Sequence, residues 1–187
     1  MKDLFYEVIV TDKHGKVIDR EAAEARSWLV AYILMMFGCF NSAAQTIKCI
    51  DGATRAQNIN YPCFNAQGVA DNIIQGIVVG TGSTPVDIED YILETQIVNG
   101  SGAGQLLHLA QINASPVVDA TSSAFILTRS FLNNSGGSIT VREIGIYGMV
   151  QQGPEDDAAL VRDVLASGKV VPDGGAITVK YTIRHAE

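Results

Sequence analysis

The chain has 187 residues, of which 47% are hydrophobic and 18% are charged, and its formal net charge is −7. This length is sufficient for one domain with a substantial core, and the acidic balance without a basic cluster argues against direct nucleic-acid binding. The low charged fraction favours either a neutral polar surface or a surface that other subunits cover.

The N-terminal segment contains a strand pattern followed by a helix pattern. Apolar side chains alternate at positions 6, 8 and 10, which predicts a strand, and DKHG then predicts a polar turn. Asp19 is a suitable helix cap and Gly38 a suitable stop, so we expect one long helix from about Arg20 to Phe37. The second half of this helix is apolar on all sides, so we expect residues 28–37 to be buried in the core or against another subunit.

This apolar run also bears on membrane association. The segment WLVAYILMMFGCF, residues 28–40, is shorter than the roughly 20 apolar residues that a bilayer span needs, so we expect a buried helix and no membrane contact. The N-terminus lacks the apolar region of a secretory signal peptide. Three cysteines without metal-ligand spacing are typical of reduced, mostly buried thiols in a protein assembled in a cytosol, namely Cys39, Cys49 and Cys63.

The middle of the chain alternates between short strands and glycine-rich turns. Asp51-Gly52 predicts a two-residue hairpin turn, and a short strand is predicted between flanking glycines at positions 76, 80 and 82. Thr84-Pro85 followed by Asp87 predicts the start of a helix of one or two turns. Residues 98–112, VNGSGAGQLLHLAQI, predict a glycine-rich loop that leads into another strand.

The last third is β throughout. FILTRSFL and ITVREIGIYG predict a hairpin around the turn NNSGGS. In the second strand the apolar pair Ile139 and Val141 stands at odd positions, whereas the pair Ile144 and Ile146 stands at even positions. A regular strand would point the two pairs to opposite faces, but a β-bulge at Arg142-Glu143 would bring both to the core face. ALVRDVLASGKVV then predicts a strand, PDGG a tight turn, and AITVKYTIRH a final strand with apolar residues at 177, 179, 181 and 183.

These elements together predict a mainly β protein, an antiparallel β-sandwich of jelly-roll-like form with one long N-terminal helix. We expect a single domain over residues 1–187. In it, the N-terminal strand, helix and hairpin of residues 1–60 pack on a sandwich of about residues 70–187.

Tests for chemistry give no positive case for an enzyme. The glycine-rich segments lack the spacing of phosphate-binding loops, and no nucleophile-elbow motif is present. The three histidines are far apart in the sequence, at His14, His108 and His185, and the acidic run Glu155, Asp156 and Asp157 is typical of a solvated loop. We therefore predict no catalytic, metal-binding or cofactor-binding residues, and no cofactor.

Several segments in their order resemble a group of virion structural proteins of tailed bacteriophages. They are VGTGST at residues 79–84 with the acidic stretch after it, FLNNSGGSITVREIGIYG at 131–148, VRDVL at 161–165, and VKYTI at 179–183. The resemblance covers roughly residues 70 to 184. It implies a rigid β subunit and no catalytic residues.

The resemblance implies a non-enzymatic structural subunit of the head surface, neck or tail. Such a subunit is made and assembled in the host cytoplasm and resides in the virion, in contact with its own copies and with other virion proteins. The alternative is a host-surface or carbohydrate-binding module, which would need a groove lined by aromatic side chains.

Overall fold

The computed structural model describes residues 3–25, 28–41, 45–57, 65–118, 122–149 and 157–186. These residues form strands and one helix. In chain order they are β1 (Asp3–Thr11), β2 (Val17–Glu24), α1 (Val30–Asn41), β3 (Gln45–Lys48), β4 (Thr54–Gln57), β5 (Gly76–Gly80), β6 (Leu107–His108), β7 (Ile112–Asn113), β8 (Val117–Val118), β9 (Ser122–Leu132), β10 (Ile139–Met149), β11 (Asp157–Val171) and β12 (Ala176–Ala186).

Antiparallel pairing organises the strands into two sheets and a hairpin. Sheet A has the order β2-β1-β12-β9-β6, and β7 and β8 also pair with β9. Sheet B has the order β11-β10-β5, and β3 pairs with β4. Alternating side chains of sheet A, such as Val8, Phe131 and Val179, share one core cluster with Ile77 and Ile144 of sheet B. The mainly β class is therefore confirmed, and the N-terminal strand β1 lies inside sheet A.

The turn NNSGGS does not close a hairpin, and that prediction is wrong, whereas PDGG is a tight turn as predicted, with the Gly175 amide donating to Pro172 O at 3.0 Å. Each turn carries the chain from one sheet to the other, because β9 pairs in sheet A and β10 in sheet B, while β11 pairs in sheet B and β12 in sheet A. Asn133 joins the two turns, since its side-chain amide donates to Gly137 O and to Val171 O at 2.8 Å each. The Gly136 amide also donates to Asp173 Oδ1 at 2.8 Å. Turn residues encode a change of direction, but they do not encode the partner of the next strand.

The predicted bulge is confirmed. The β10–β11 register shifts between Val141 and Glu143, where β11 advances from Lys169 to Val164. All four apolar residues of β10 that the parity change concerned are buried in the shared core cluster, namely Ile139, Val141, Ile144 and Ile146.

The long N-terminal helix is wrong in its first part. Residues 17–24 form β2, which pairs with β1 from Phe5–Glu24 to Val10–Asp19. In this strand Glu21 accepts a hydrogen bond from the Tyr6 hydroxyl of β1 at Oε1, at 2.8 Å. Pairing across the short DKHG turn overrides the capping signal of Asp19, because that turn places β2 directly beside β1. The helix runs from Val30 to Asn41, so the stop predicted at Gly38 is wrong as well.

The helix is apolar on all sides but is not buried on all sides. Ala31 and Met35 are buried and Leu34 packs against the core, whereas Ile33 and Phe37 are 57% and 56% exposed. The expectation that the core buries the whole run is therefore wrong for the outer face. Contact of that face with another subunit stays a prediction.

Two adjacent helix positions test this orientation. Leu34→Asp is expected to lower the free energy of unfolding by about 2–4 kcal/mol, because it places an unpaired charge against the core. The matched change Ile33→Asp is expected to cost less than about 1 kcal/mol, because its side chain is in water. Urea unfolding of the dilute protein measures both. Equal losses in the two variants would contradict the orientation.

Two smaller elements also differ from their predictions. The hairpin around Asp51-Gly52 is confirmed, but its connection spans residues 49–53, with Gly52 at a φ of 83°. The short helix predicted after Thr84-Pro85 is wrong. The segment contains a hydrogen-bonded β-turn and no helix, with Asp90 N donating to Asp87 O at 3.0 Å. Among the described residues, no helix is long and apolar enough to cross a membrane.

Candidate functional site

Three segments that carry the resemblance meet at one buried ion pair. Glu143 of ITVREIG and Arg162 of VRDVL lie on the neighbouring strands β10 and β11, and the Arg162 Nε to Glu143 Oε2 distance is 2.9 Å. Both side chains are almost completely inaccessible to water. Sequence reasoning missed this pair, although a glutamate within an otherwise apolar strand pattern was the available signal.

Glu143 fixes the VGTGST segment through backbone hydrogen bonds. Its carboxylate accepts the amides of Gly82, Glu94 and Thr95 at 3.0, 3.0 and 2.8 Å. A Cβ atom at Gly80 or at Gly82 would lie 2.5 Å from Glu143 Oε1. These two glycines therefore make room for the carboxylate, which explains them without any phosphate ligand.

Arg162 completes the attachment from the other side. Its Nη1 lies 2.7 Å from Asp90 Oδ2 and its Nη2 donates to Thr84 O at 3.1 Å. Burial alone would lower the pKa of Arg162, but the hydrogen bonds to Asp90 and Glu143 raise it above its ordinary value. Together Glu143 and Arg162 hold residues 80–96 on sheet B, so the arrangement is suited to rigidity.

Arg129 of β9 forms a second buried centre. Its side chain has no solvent exposure. The guanidinium donates to five backbone carbonyls, those of Val69, Asn72, Gln75, Ile77 and Leu109, at 2.7–3.2 Å. Desolvation lowers the pKa of Arg129 to about 10, which leaves it charged at neutral pH. Arg129 thus ties the loop before β5 to sheet A.

The histidines do not come together. His14 lies in the exposed β1–β2 turn, His108 is buried in β6, and His185 lies in β12. No cluster of three or more histidine, cysteine or acidic side chains within the described residues could hold a metal ion.

His108 is buried beside Arg129 and Phe131. Its ring meets the Phe131 ring edge-on at a centroid distance of 4.9 Å. Within the described part of the chain, neither ring nitrogen has a hydrogen bond of good geometry. Desolvation, followed by the charge of Arg129, lowers the pKa of His108 to about 4, so the ring is neutral near pH 7.

This environment predicts a loss of stability in mild acid. Between about pH 6.5, the ordinary histidine pKa, and about pH 4, His108 takes up a proton in the unfolded chain but not in the folded one. Its contribution to the free energy of unfolding therefore falls by about 3 kcal/mol over this window. Unfolding of His108→Phe across the same pH range is expected to lack this part of the slope, whereas His14→Gln should keep it. Parallel pH profiles for the wild type and His108→Phe would contradict the prediction.

The acidic run and the cysteines are placed as follows. Glu155 and Asp156 lie outside the described residues, as does Cys63. Asp157 begins β11 and is buried, with Gln75 Nε2 donating to its Oδ1 at 3.0 Å, so a solvated loop is the wrong description for this residue. Cys49 is buried as expected, and Cys39 lies in α1.

An apolar groove of about 400 Å³ opens where α1 meets the two sheets. It is lined by Trp28, Tyr32, Met36, Ala66, Asn113, Phe125, Leu127, Ile146, Leu160 and Ile183. The Trp28 and Tyr32 rings stack at a centroid distance of 3.8 Å. Most of the lining is apolar and Asn113, Tyr32 and Trp28 carry its polar atoms, so the groove is suited to a largely apolar group.

Comparison of the chain with protein-family models, with curated proteins and with solved structures found no match. Its function is therefore inferred from the sequence pattern and from the geometry of these clusters.

Proposed function

We propose that this chain is a non-enzymatic structural subunit of a bacteriophage virion, located at the head surface, neck or tail. It is made and assembled in the host cytoplasm and contacts its own copies and other virion proteins, without direct contacts to nucleic acid or membrane. One observation carries the proposal. Two charged residues of the segments with the phage-like pattern, Glu143 and Arg162, are buried and bind backbone groups, as does Arg129 in the neighbouring part of β9.

We also infer that sheets A and B form a jelly-roll-like β-sandwich. Two features support this architecture. The core-facing residues of both sheets belong to one cluster, and the chain crosses between the sheets at two turns that Asn133 holds together. A subunit of this kind is rigid, which suits repeated assembly.

The surface supports assembly through neutral contacts. Val117 and Val118 on β8 are 72% and 73% exposed, and Ile112 on β7, which pairs with the same strand β9, is also exposed. The outer face of α1 adds Ile33 and Phe37. Exposed apolar groups of this kind are available for protein-protein contacts, which agrees with the low charged fraction of the chain.

Particle analysis tests the proposal. Phage particles purified from a lysate should contain the protein at a fixed copy number, measured by quantitative mass spectrometry. Labelled antibody in negative-stain images should then place it at the head, neck or tail. Absence from purified particles would refute the proposal, as would a measured turnover that one polar substitution abolishes.

The apolar groove supports a second candidate, a host-surface or carbohydrate-binding module. Aromatic faces such as those of Trp28, Tyr32 and Phe125 can pack on sugar rings. The lining is mostly apolar, with polar atoms from Asn113, Tyr32 and Trp28, whereas sugar recognition requires several convergent polar partners, so we place this reading second. Binding to host cells or surface glycans that Trp28→Ala abolishes, with folding intact, would favour it.

A further inference from the structure

The strand β2 is an open edge of sheet A. Within the described residues it pairs with β1 alone. The nearby strand β11 reaches it through side chains on the core side, where Lys169 Nζ lies 3.2 Å from Asp19 Oδ1 and 3.0 Å from Glu21 Oε2. An eight-residue edge presents unpaired backbone donors and acceptors that another strand can use.

The solvent face of β2 carries a self-complementary charge pattern. Arg20, Ala22 and Glu24 lie opposite Ile9, Glu7 and Phe5 of β1, on the face away from the core. Arg20 forms an ion pair with Glu7 but remains 66% exposed. Glu24 is exposed and has no ion-pair partner among the described residues. Ala22 is therefore flanked on this face by the positive charge of Arg20, two residues before it, and the negative charge of Glu24, two residues after it.

We propose that β2 pairs antiparallel with β2 of a second copy, with Ala22 opposite Ala22 of that copy. This arrangement has a two-fold axis perpendicular to the sheet, so the core faces of both copies stay on the same side. Arg20 of each copy then lies directly opposite Glu24 of the other, which forms two equivalent ion pairs. Glu21 lies opposite Ala23.

Neighbouring registers are less favourable on charge. In the proposed register the numbers of two opposed residues add up to 44. The neighbouring registers that keep both core faces on the same side have sums of 42 and 46. A register with a sum of 42 places Glu21 opposite Glu21, and one with a sum of 40 places Arg20 opposite Arg20. Both are unfavourable contacts between like charges. The register with a sum of 46 places Ala23 opposite Ala23 and leaves Arg20 and Glu24 without their pairing. The register centred on Ala22 is therefore selected.

The β2–β2 contact rests on the proposed function in one respect, because a virion subunit that contacts its own copies must also self-associate. It would join sheet A of two copies into one continuous sheet through β2. Five or six residues per copy form a small contact, so the isolated pair is expected to be weak and to gain strength from repetition in a particle.

Cysteine cross-linking tests the register. On mild oxidation, Ala22→Cys is expected to give a disulfide-linked dimer, because directly opposed Cβ atoms lie roughly 4.5–5.5 Å apart. Ala23→Cys is the matched control, an exposed neighbour whose opposite residue is Glu21. The wild type under the same oxidant gives the background from the native cysteines. Equal dimer yields from the two variants would overturn the proposed register.

A charge swap tests the ion pairs. Arg20→Glu should weaken the dimer about tenfold or more, and Arg20→Glu with Glu24→Arg should restore most of the affinity, as measured by sedimentation or native mass spectrometry. Circular dichroism confirms that each variant is folded. Self-association that persists unchanged in Arg20→Glu would overturn this interface and leave the virion proposal standing. A wild type that stays monomeric at high concentration would also overturn it, while the particle analysis separately decides the virion assignment.

Discussion

Arg129→Met is expected to lower the free energy of unfolding by about 4 kcal/mol, a large part of the stability of an ordinary domain. Methionine fills much of the arginine volume but donates no hydrogen bond. Five carbonyls from residues 69–77 and 109 would lose a donor that no water can replace, because Arg129 is fully buried. Arg129→Lys should lower the free energy of unfolding by less than Arg129→Met does, since one ammonium keeps some of the hydrogen bonds but cannot reach all five oxygens.

Arg142 provides the control for this measurement. Arg142 lies at the bulge of β10, the next strand along the chain, and its side chain is exposed. Arg142→Met is therefore expected to change the free energy of unfolding by less than about 0.5 kcal/mol. Urea unfolding monitored by the fluorescence of Trp28 and by circular dichroism measures both variants. Arg129→Met within about 1 kcal/mol of the wild type would show that the carbonyls find other donors.

Glu143→Gln is expected to lower the free energy of unfolding by about 3 kcal/mol. The change removes the carboxylate that is buried beside Arg162 and leaves Asp90 as its close charged partner, and it turns an amide donor toward backbone amides that need an acceptor. Residues 80–96 should loosen first, because Glu143 and Arg162 together attach them to sheet B. Hydrogen exchange should therefore rise in this segment more than in β9 or β12.

Glu89→Gln is the matched control for this change. Glu89 is exposed in the same segment, so its substitution is expected to alter stability by less than about 0.5 kcal/mol and to leave exchange unchanged. Equal exchange in residues 80–96 of the wild type and Glu143→Gln would contradict the role assigned to the ion pair.

Local patterns in the sequence predicted much of the secondary structure. Alternation placed Tyr6, Val8 and Val10 in the core, and it placed Ile177, Val179 and Tyr181 there as well. The parity change in β10 located the bulge. These predictions succeeded because the two-residue period of a strand records directly which face is buried.

The roles of the charged residues in the core were not predicted from the sequence. The alternation pattern assigned no function to Arg129, Glu143 or Arg162, yet each is buried among backbone groups from distant segments. Their partners lie 19 to 78 residues away in the chain, and no local spacing encodes such contacts. The glycines at 80 and 82 were interpreted as loop residues, and only the position of Glu143 explains why a side chain is excluded there.

The sequence by itself determined the β class, the faces of the alternating strands and the bulge. Only the tertiary structure decided which strands pair, that β2 replaces the first part of the expected helix, and that two polar turns join different sheets. The physical reason is the same in each case. Burial period and turn preference act within a few residues, whereas strand partners are chosen by the combined packing and hydrogen bonding of segments far apart in the chain.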